Sequence, residues 1–142
     1  MHRDIDLLER VQKGATMMIP ECKELISSYE ERLRKDGLTT LETRRIRADL
    51  LEVYKVVNRL EGIGEKNFFL RRNVATKGLH SSRSNSFAFY KKRFKLDMGK
   101  YSFCNRVIND WNQLPGIIVQ AKSINVFKGK LDRYLRHDRG LK

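Results

Sequence analysis

The residues whose types and spacing could do chemistry in this chain are aromatics running into cations. Phe87, Phe89 and Tyr90 are followed by Lys91, Lys92 and Arg93. Aromatic faces stack on unpaired bases while cations follow the phosphates, the usual arrangement on surfaces that hold single-stranded or structured RNA. Phe without a basic neighbour on each side is generally core. Phe87 and Phe89 are therefore expected to pack on the helices, leaving backbone contact to the Lys and Arg side chains. Trp111 and Phe103 are expected in the core as well.

Other chemistries find no footing. No Gly-rich phosphate cradle follows a strand pattern. His2, His80 and His137 fall in terminal or loop contexts, none near a Cys or Ser in an activating arrangement. Glu30-Glu31 and the Asp4/Asp6 pair read as helix-end charges. A polymerase needs carboxylates that hold two metal ions, and after Lys66 only Asp97, Asp110, Asp132 and Asp138 are available. Asp97, on an expected strand among lysines, reads as a local charge partner. No catalytic residue, metal site or cofactor is expected, and the chain is not read as an enzyme. Cys22 and Cys104 lie far apart without a CxxC, which suits a reducing, intracellular compartment, cytoplasmic or nuclear. No apolar run is long enough to span a bilayer, and no hydrophobic segment follows the basic start, so no secretory signal is expected.

The net charge of +13 is unevenly placed. Residues 1–66 hold 13 Lys/Arg against 13 Asp/Glu, whereas residues 67–142 hold 17 against 4. Between Asn67 and Leu96 there is no acidic residue, while Arg71, Arg72, Lys77, Arg83, Lys91, Lys92, Arg93 and Lys95 all fall there. A solubility device would spread its charge, so the asymmetry points to a polyanion: RNA or single-stranded DNA. Those eight residues, with Arg106, are the candidate contacts.

Helices must position them. Ile5, Leu8, Val11, Ala15 and Met18 draw one apolar stripe from Asp4 to Ile19, and Pro20 stops it. Ser28 and Glu31 form a capping box for a short helix that leaves through Gly37. A longer helix starts near Thr39 or Thr40, with Thr39 and Glu42 spaced as another box, and runs to Gly62 with Leu41, Ile46, Leu50, Val53, Tyr54, Val57 and Leu60 inward. Residues 62–86 read mostly as loop, anchored at its start by Phe68-Phe69-Leu70. Alternation predicts a short β-hairpin near residues 86–98. Helical spacing resumes with Phe103, Val107, Ile108 and Trp111, closing before Leu114-Pro115. A last helix begins at Ser123 and gathers Phe127, Leu131, Tyr134 and Leu135. The expected fold is mainly α: a small bundle of about five helices with a basic loop and that hairpin. It divides into a helical segment, 1–61, and a basic extension, 62–142.

Several stretches resemble a known family. They are Asp4-Ile-Asp-Leu-Leu-Glu-Arg-Val-Gln-Lys, Ser28-Tyr-Glu-Glu-Arg-Leu, Gly37-Leu-Thr-Thr-Leu-Glu, Asp49-Leu-Leu-Glu-Val-Tyr-Lys and, most specific, Arg106-Val-Ile-Asn-Asp-Trp-Asn-Gln-Leu-Pro115 followed by Phe127. In order and spacing they look like the region after the polymerase palm in LINE-type (non-LTR) retrotransposon reverse transcriptases of the jockey-like group, across about Asp4 to Leu135. The resemblance implies that residues 4–60 are thumb helices and residues 62–135 a C-terminal extension, and that the catalytic palm and the endonuclease lie outside this chain. Thumb helices in that family pack against the palm. Ile5, Leu8 and Val11 are thus the apolar side chains expected to seek a protein partner or a second copy, and a relic without a selected role is the remaining alternative.

Overall fold

Caps decide where the helices begin. The computed structural model describes residues 2–20, 28–62, 64–72 and 87–138. Within them the fold is mainly helical, as expected: α1 His2–Met18, α2 Tyr29–Lys35, α3 Leu41–Val57, α4 Asp97–Lys100, α5 Phe103–Gln113, α6 Gly116–Val119 and α7 Ile124–Asp138, with a 3-10 turn at Glu65–Asn67. The box on α2 closes as read: Ser28 Oγ accepts from the Glu31 N–H at 3.3 Å, and the Glu31 carboxylate accepts from the Ser28 N–H at 2.9 Å. For α3 the capping hydroxyl is that of Thr40, which accepts from the Thr43 N–H at 3.2 Å. Ser123 Oγ caps α7 through the Val126 N–H at 3.3 Å. α1 stops at Met18, two residues before Pro20.

The C-terminus of α3 differs from expectation. Leu60 N–H donates to Lys55 O at 2.9 Å and Arg59 N–H to Val56 O at 3.2 Å, the paired bonds that turn a chain out of a helix. The left-handed residue there is Arg59, at φ 55°. The helix therefore ends at Val57 before reaching Gly62, and Leu60 is exposed. At α2 the same motif falls where it was read, with Gly37 at φ 65°.

The chain forms two compact units, Met1–Arg47 with Tyr134–Lys142, and Ala48–Arg133. Their border lies inside α3, apart from the change of composition after Glu61. In the first unit α1 and α2 are joined by polar side chains. Tyr29 Oη donates to the Glu9 carboxylate, and Gln12 Nε2 donates to Tyr29 Oη at 2.9 Å and to Thr39 O at 3.1 Å. The second Glu9 oxygen accepts from the Leu41 N–H at 2.9 Å, placing a negative charge on the N-terminus of α3. Arg32 is buried and donates to Thr16 Oγ1 at 3.3 Å. Leu8 and Val11 are exposed, while Ile5 is half-buried.

The second unit is built on an aromatic column. Phe69 stacks on Phe89 with centroids 4.6 Å apart, Phe89 on Trp111 at 5.9 Å, Trp111 leans on Phe127 at 6.2 Å, and Phe127 stacks on Tyr54 at 4.2 Å. Such pairs add about 0.5–1.5 kcal/mol each beyond the area they bury. Their polar atoms are matched: Tyr54 Oη donates to Ala121 O at 2.6 Å and Trp111 Nε1 to Phe87 O at 3.1 Å. Of the expected anchor Phe68-Phe69-Leu70, only Phe69 is buried.

The hairpin at 86–98 does not form among the described residues. Phe89 pairs instead with Arg71 in a single antiparallel bridge. Arg72 N–H donates to Ala88 O at 2.9 Å and Tyr90 N–H to Leu70 O at 2.7 Å. Both backbone groups of Phe89 are also taken by one side chain: its N–H donates to Asn112 Oδ1 at 2.8 Å, and its carbonyl accepts from Asn112 Nδ2 at 2.9 Å. Ala88 and Tyr90 thus face Leu70–Arg72 and the Phe89 backbone is closed by Asn112, while Asp97 begins α4 instead of lying on a strand.

Candidate nucleic-acid interface

The candidate cations separate into two kinds. Arg71 and Arg106 are held inside the second unit. Arg71 Nε and Nη2 each donate to the Glu65 carboxylate at 2.5 Å, and the guanidinium lies over the rings of Phe87 and Phe89 at 5.3 and 5.5 Å. Arg106 grips Asp49, which together with burial of part of its stem makes it a brace between α5 and α3; the bonds to Asp49 push its pKa up. Arg72 is half-buried beside the Arg71 bridge. Lys77 and Arg83 lie outside the described residues. Lys91, Lys92, Arg93 and Lys95 are all exposed, on one irregular segment between Tyr90 and α4.

That segment is fixed at both ends. Tyr90 is tied to Leu70 by its backbone bond, and the ring of Phe94 packs on the bare α-carbon of Gly99, where a Cβ would stand 2.6 Å from Phe94 Cγ. Lys100 Nζ reaches the Asp97 carboxylate at 3.2 Å, so Asp97 is a local charge partner as read. Ser102 Oγ donates to Gly99 O at 2.9 Å, and Asn105 Nδ2 to Lys100 O at 3.2 Å, stitching α4 to the first turn of α5.

Two depressions open there. The larger, about 580 Å³, is walled by Lys91, Lys92, Arg93 and Lys100 with Phe94 and Tyr101. The smaller, about 110 Å³, mixes rings and aliphatic side chains (Phe68, Leu70, Tyr90, Phe94, Ile108) with polar ones. Lys92, Phe94 and Asn105 line both.

Phe89 is fully buried and Phe87 half-buried under Arg71, as the packing expectation had it, so neither offers a stacking face. The exposed rings are Phe68 at 42%, Tyr90 at 41%, Phe94 at 41% and Tyr101 at 49%. Tyr90 is among the rings read from sequence; Phe94 and Tyr101 each have a Lys or Arg beside them, a signal that could have found them too, and Phe68 required the fold.

Burial pushes the Cys104 thiol up, away from the thiolate form a nucleophile needs. Among the described residues no cluster of three or more His, Cys, Asp or Glu side chains could hold a metal ion. None of the described helices is long and apolar enough to cross a membrane. No family model matches this chain, and no curated protein or solved structure matches it.

Proposed function

We propose that this chain is a non-catalytic fragment or relic of a LINE-type retrotransposon reverse transcriptase that binds RNA or single-stranded nucleic acid, inside the cell, through its basic second half. The observation that carries the binding is the groove at Lys91–Tyr101, where four exposed cations (Lys91, Lys92, Arg93, Lys100) stand beside exposed rings. Cations on a groove track phosphates, and each ring can hold one unpaired base, a contact of about 1–3 kcal/mol. The parentage rests on the resemblance, and one further point supports it. Two of the matched stretches touch in the fold, with Asp49 of one accepting two hydrogen bonds from Arg106 of the other, as parts of one packing unit would.

Titration of a labelled single-stranded RNA at several salt concentrations tests the binding. For roughly 5–7 neutralised phosphates, log K falls against log salt with a slope of about −3.5 to −5. Combined Lys91→Ala, Lys92→Ala and Arg93→Ala changes flatten that slope by about 2. Absence of binding at low salt overturns the proposal.

A second reading is an interaction module. Leu8, Val11 and Met18 are exposed along α1 at 60%, 71% and 78%, a bare apolar stripe of the kind that docks on another surface. Sedimentation of the wild type against Leu8→Glu decides it: self-association lost in the variant supports this reading, and a monomeric wild type counts against it.

A further inference from the structure

Asn105 is more buried than its polarity warrants. It is only 6% exposed, and its Oδ1 has no hydrogen-bond partner, although natural folds leave few buried acceptors unmatched. The other end of the same amide is committed, because Nδ2 donates to Lys100 O. That bond sets which way the amide points and leaves Oδ1 as its one buried atom without a partner.

Asn105 lies where the basic groove and the smaller notch share a wall. The notch, about 110 Å³, has room for a single base and not for a base pair, and Phe68, Tyr90 and Phe94 give it aromatic sides. We infer that the notch takes one unpaired base and that Asn105 Oδ1 accepts from the exocyclic amino group of that base, so that the groove prefers adenine or cytosine over uracil. The inference rests on the nucleic-acid reading above and names what that site selects.

The selectivity follows from donor and acceptor matching. Adenine and cytosine carry an N–H₂ that projects beyond the ring, whereas uracil presents a carbonyl at the equivalent place, and its ring N–H lies between two carbonyls. An acceptor facing a carbonyl is repulsive and leaves the buried Oδ1 unmatched; an acceptor facing an amine satisfies it. A paired base has its amine already engaged, so duplexes are disfavoured at this point. Phe94 belongs to a segment without regular structure, so a small adjustment of its ring against the base breaks no helix bond. Lys91, Lys92 and Arg93 then flank the neighbouring phosphates.

The test compares labelled RNA oligomers of roughly 12 nucleotides by fluorescence anisotropy on the whole chain at low salt: oligo-A, oligo-C, oligo-U, and a purine-riboside oligomer, which is oligo-A without its amine. Oligo-A and oligo-C are expected to bind about 5- to 10-fold more tightly than oligo-U, and the purine-riboside oligomer to fall to the oligo-U level. Asn105→Leu is expected to bring all four within about twofold of one another. Should that variant fail to fold, the ligand-side comparison on the wild type still decides. Purine-riboside binding equal to oligo-A, or oligo-U equal to both amine-bearing oligomers, overturns the inference and leaves general binding intact. If no oligomer binds at all, the proposed function itself falls.

Discussion

Arg106 and Asp49, 57 residues apart in the chain, hold each other through two hydrogen bonds, from Nε at 3.0 Å and Nη2 at 2.8 Å. A guanidinium facing a carboxylate in this forked manner is among the stronger side-chain contacts, and the same guanidinium lies 5.8 Å from the Phe103 ring centroid. The pair is partly solvated, with side-chain exposures of 32% and 16%, so screening reduces its worth. Arg106→Gln is expected to lower stability by about 1 kcal/mol and to change RNA affinity less than Lys92→Ala does. Denaturant midpoints and anisotropy on the two variants check this. An Arg106→Gln protein of unchanged midpoint that no longer binds RNA would return Arg106 to the interface.

Arg59 occupies a left-handed conformation, φ 55°, at the exit of α3. A side chain there brings Cβ against the carbonyl, a strain glycine does not have. Arg59→Gly is expected to stabilise the protein by about 0.5–1 kcal/mol, less than the full strain because glycine also gains freedom in the unfolded chain. Thermal unfolding of the pair of proteins reads the sign directly. A lower melting temperature in the glycine variant contradicts the assignment.

Tyr29 has its pKa pushed from 10.0 up to about 12, first by burial and then by its hydrogen bond to Glu9. The folded state therefore holds this proton more tightly than the unfolded chain does. The stabilisation is complete below pH 10 and drains away as pH climbs from 10 to about 12. After allowance for partial exposure it amounts to about 1–2 kcal/mol. Tyr29→Phe is expected to be less stable at neutral pH by about 1 kcal/mol and to show a shallower loss of stability across that alkaline window. Urea titrations at pH values on both sides of 10 measure the difference.

Gly99 carries the Phe94 ring on its α-carbon. A methyl group there would stand 2.6 Å from Phe94 Cγ and 2.9 Å from its Cβ, too close to be relieved by a small ring rotation. Gly99→Ala is expected to expel Phe94, widening the passage between the two depressions and weakening RNA binding, at a stability cost of about 1 kcal/mol because Phe94 is already exposed. The two readouts must separate, with affinity falling while the cooperative melt persists. Unchanged affinity would remove Phe94 from the binding surface.

Local chemistry made much of the helical skeleton legible. The Ser28–Glu31 box, the Gly37 exit, the Ser123 cap and the inward positions Leu50, Val53, Tyr54, Phe127 and Leu131 each follow from bonds or spacings within a few residues. So did the run of exposed cations from Lys91 to Lys95, since charge needs no partner to reach the surface. That Arg71 and Arg106, read as candidate nucleic-acid contacts, pair with carboxylates was hidden for the opposite reason. Whether a cation faces solvent or a carboxylate depends on Glu65 and Asp49, whose positions no local pattern announces.

Sequence alone, then, determined that this chain is helical, where most of its helices start, and that its positive excess gathers after Lys66. Tertiary structure decided which edge Phe89 pairs with, which rings stay wet, and that Asn105 keeps a buried oxygen unmatched. Caps and periodicity are short-range and can be read in order along the chain. The pairing of residues 70–72 with 88–90, and Asn112 closing on Phe89, depend on segments brought together only by burial of the aromatic column, and that burial is what leaves Tyr90, Phe94 and Tyr101 at the surface beside the lysines.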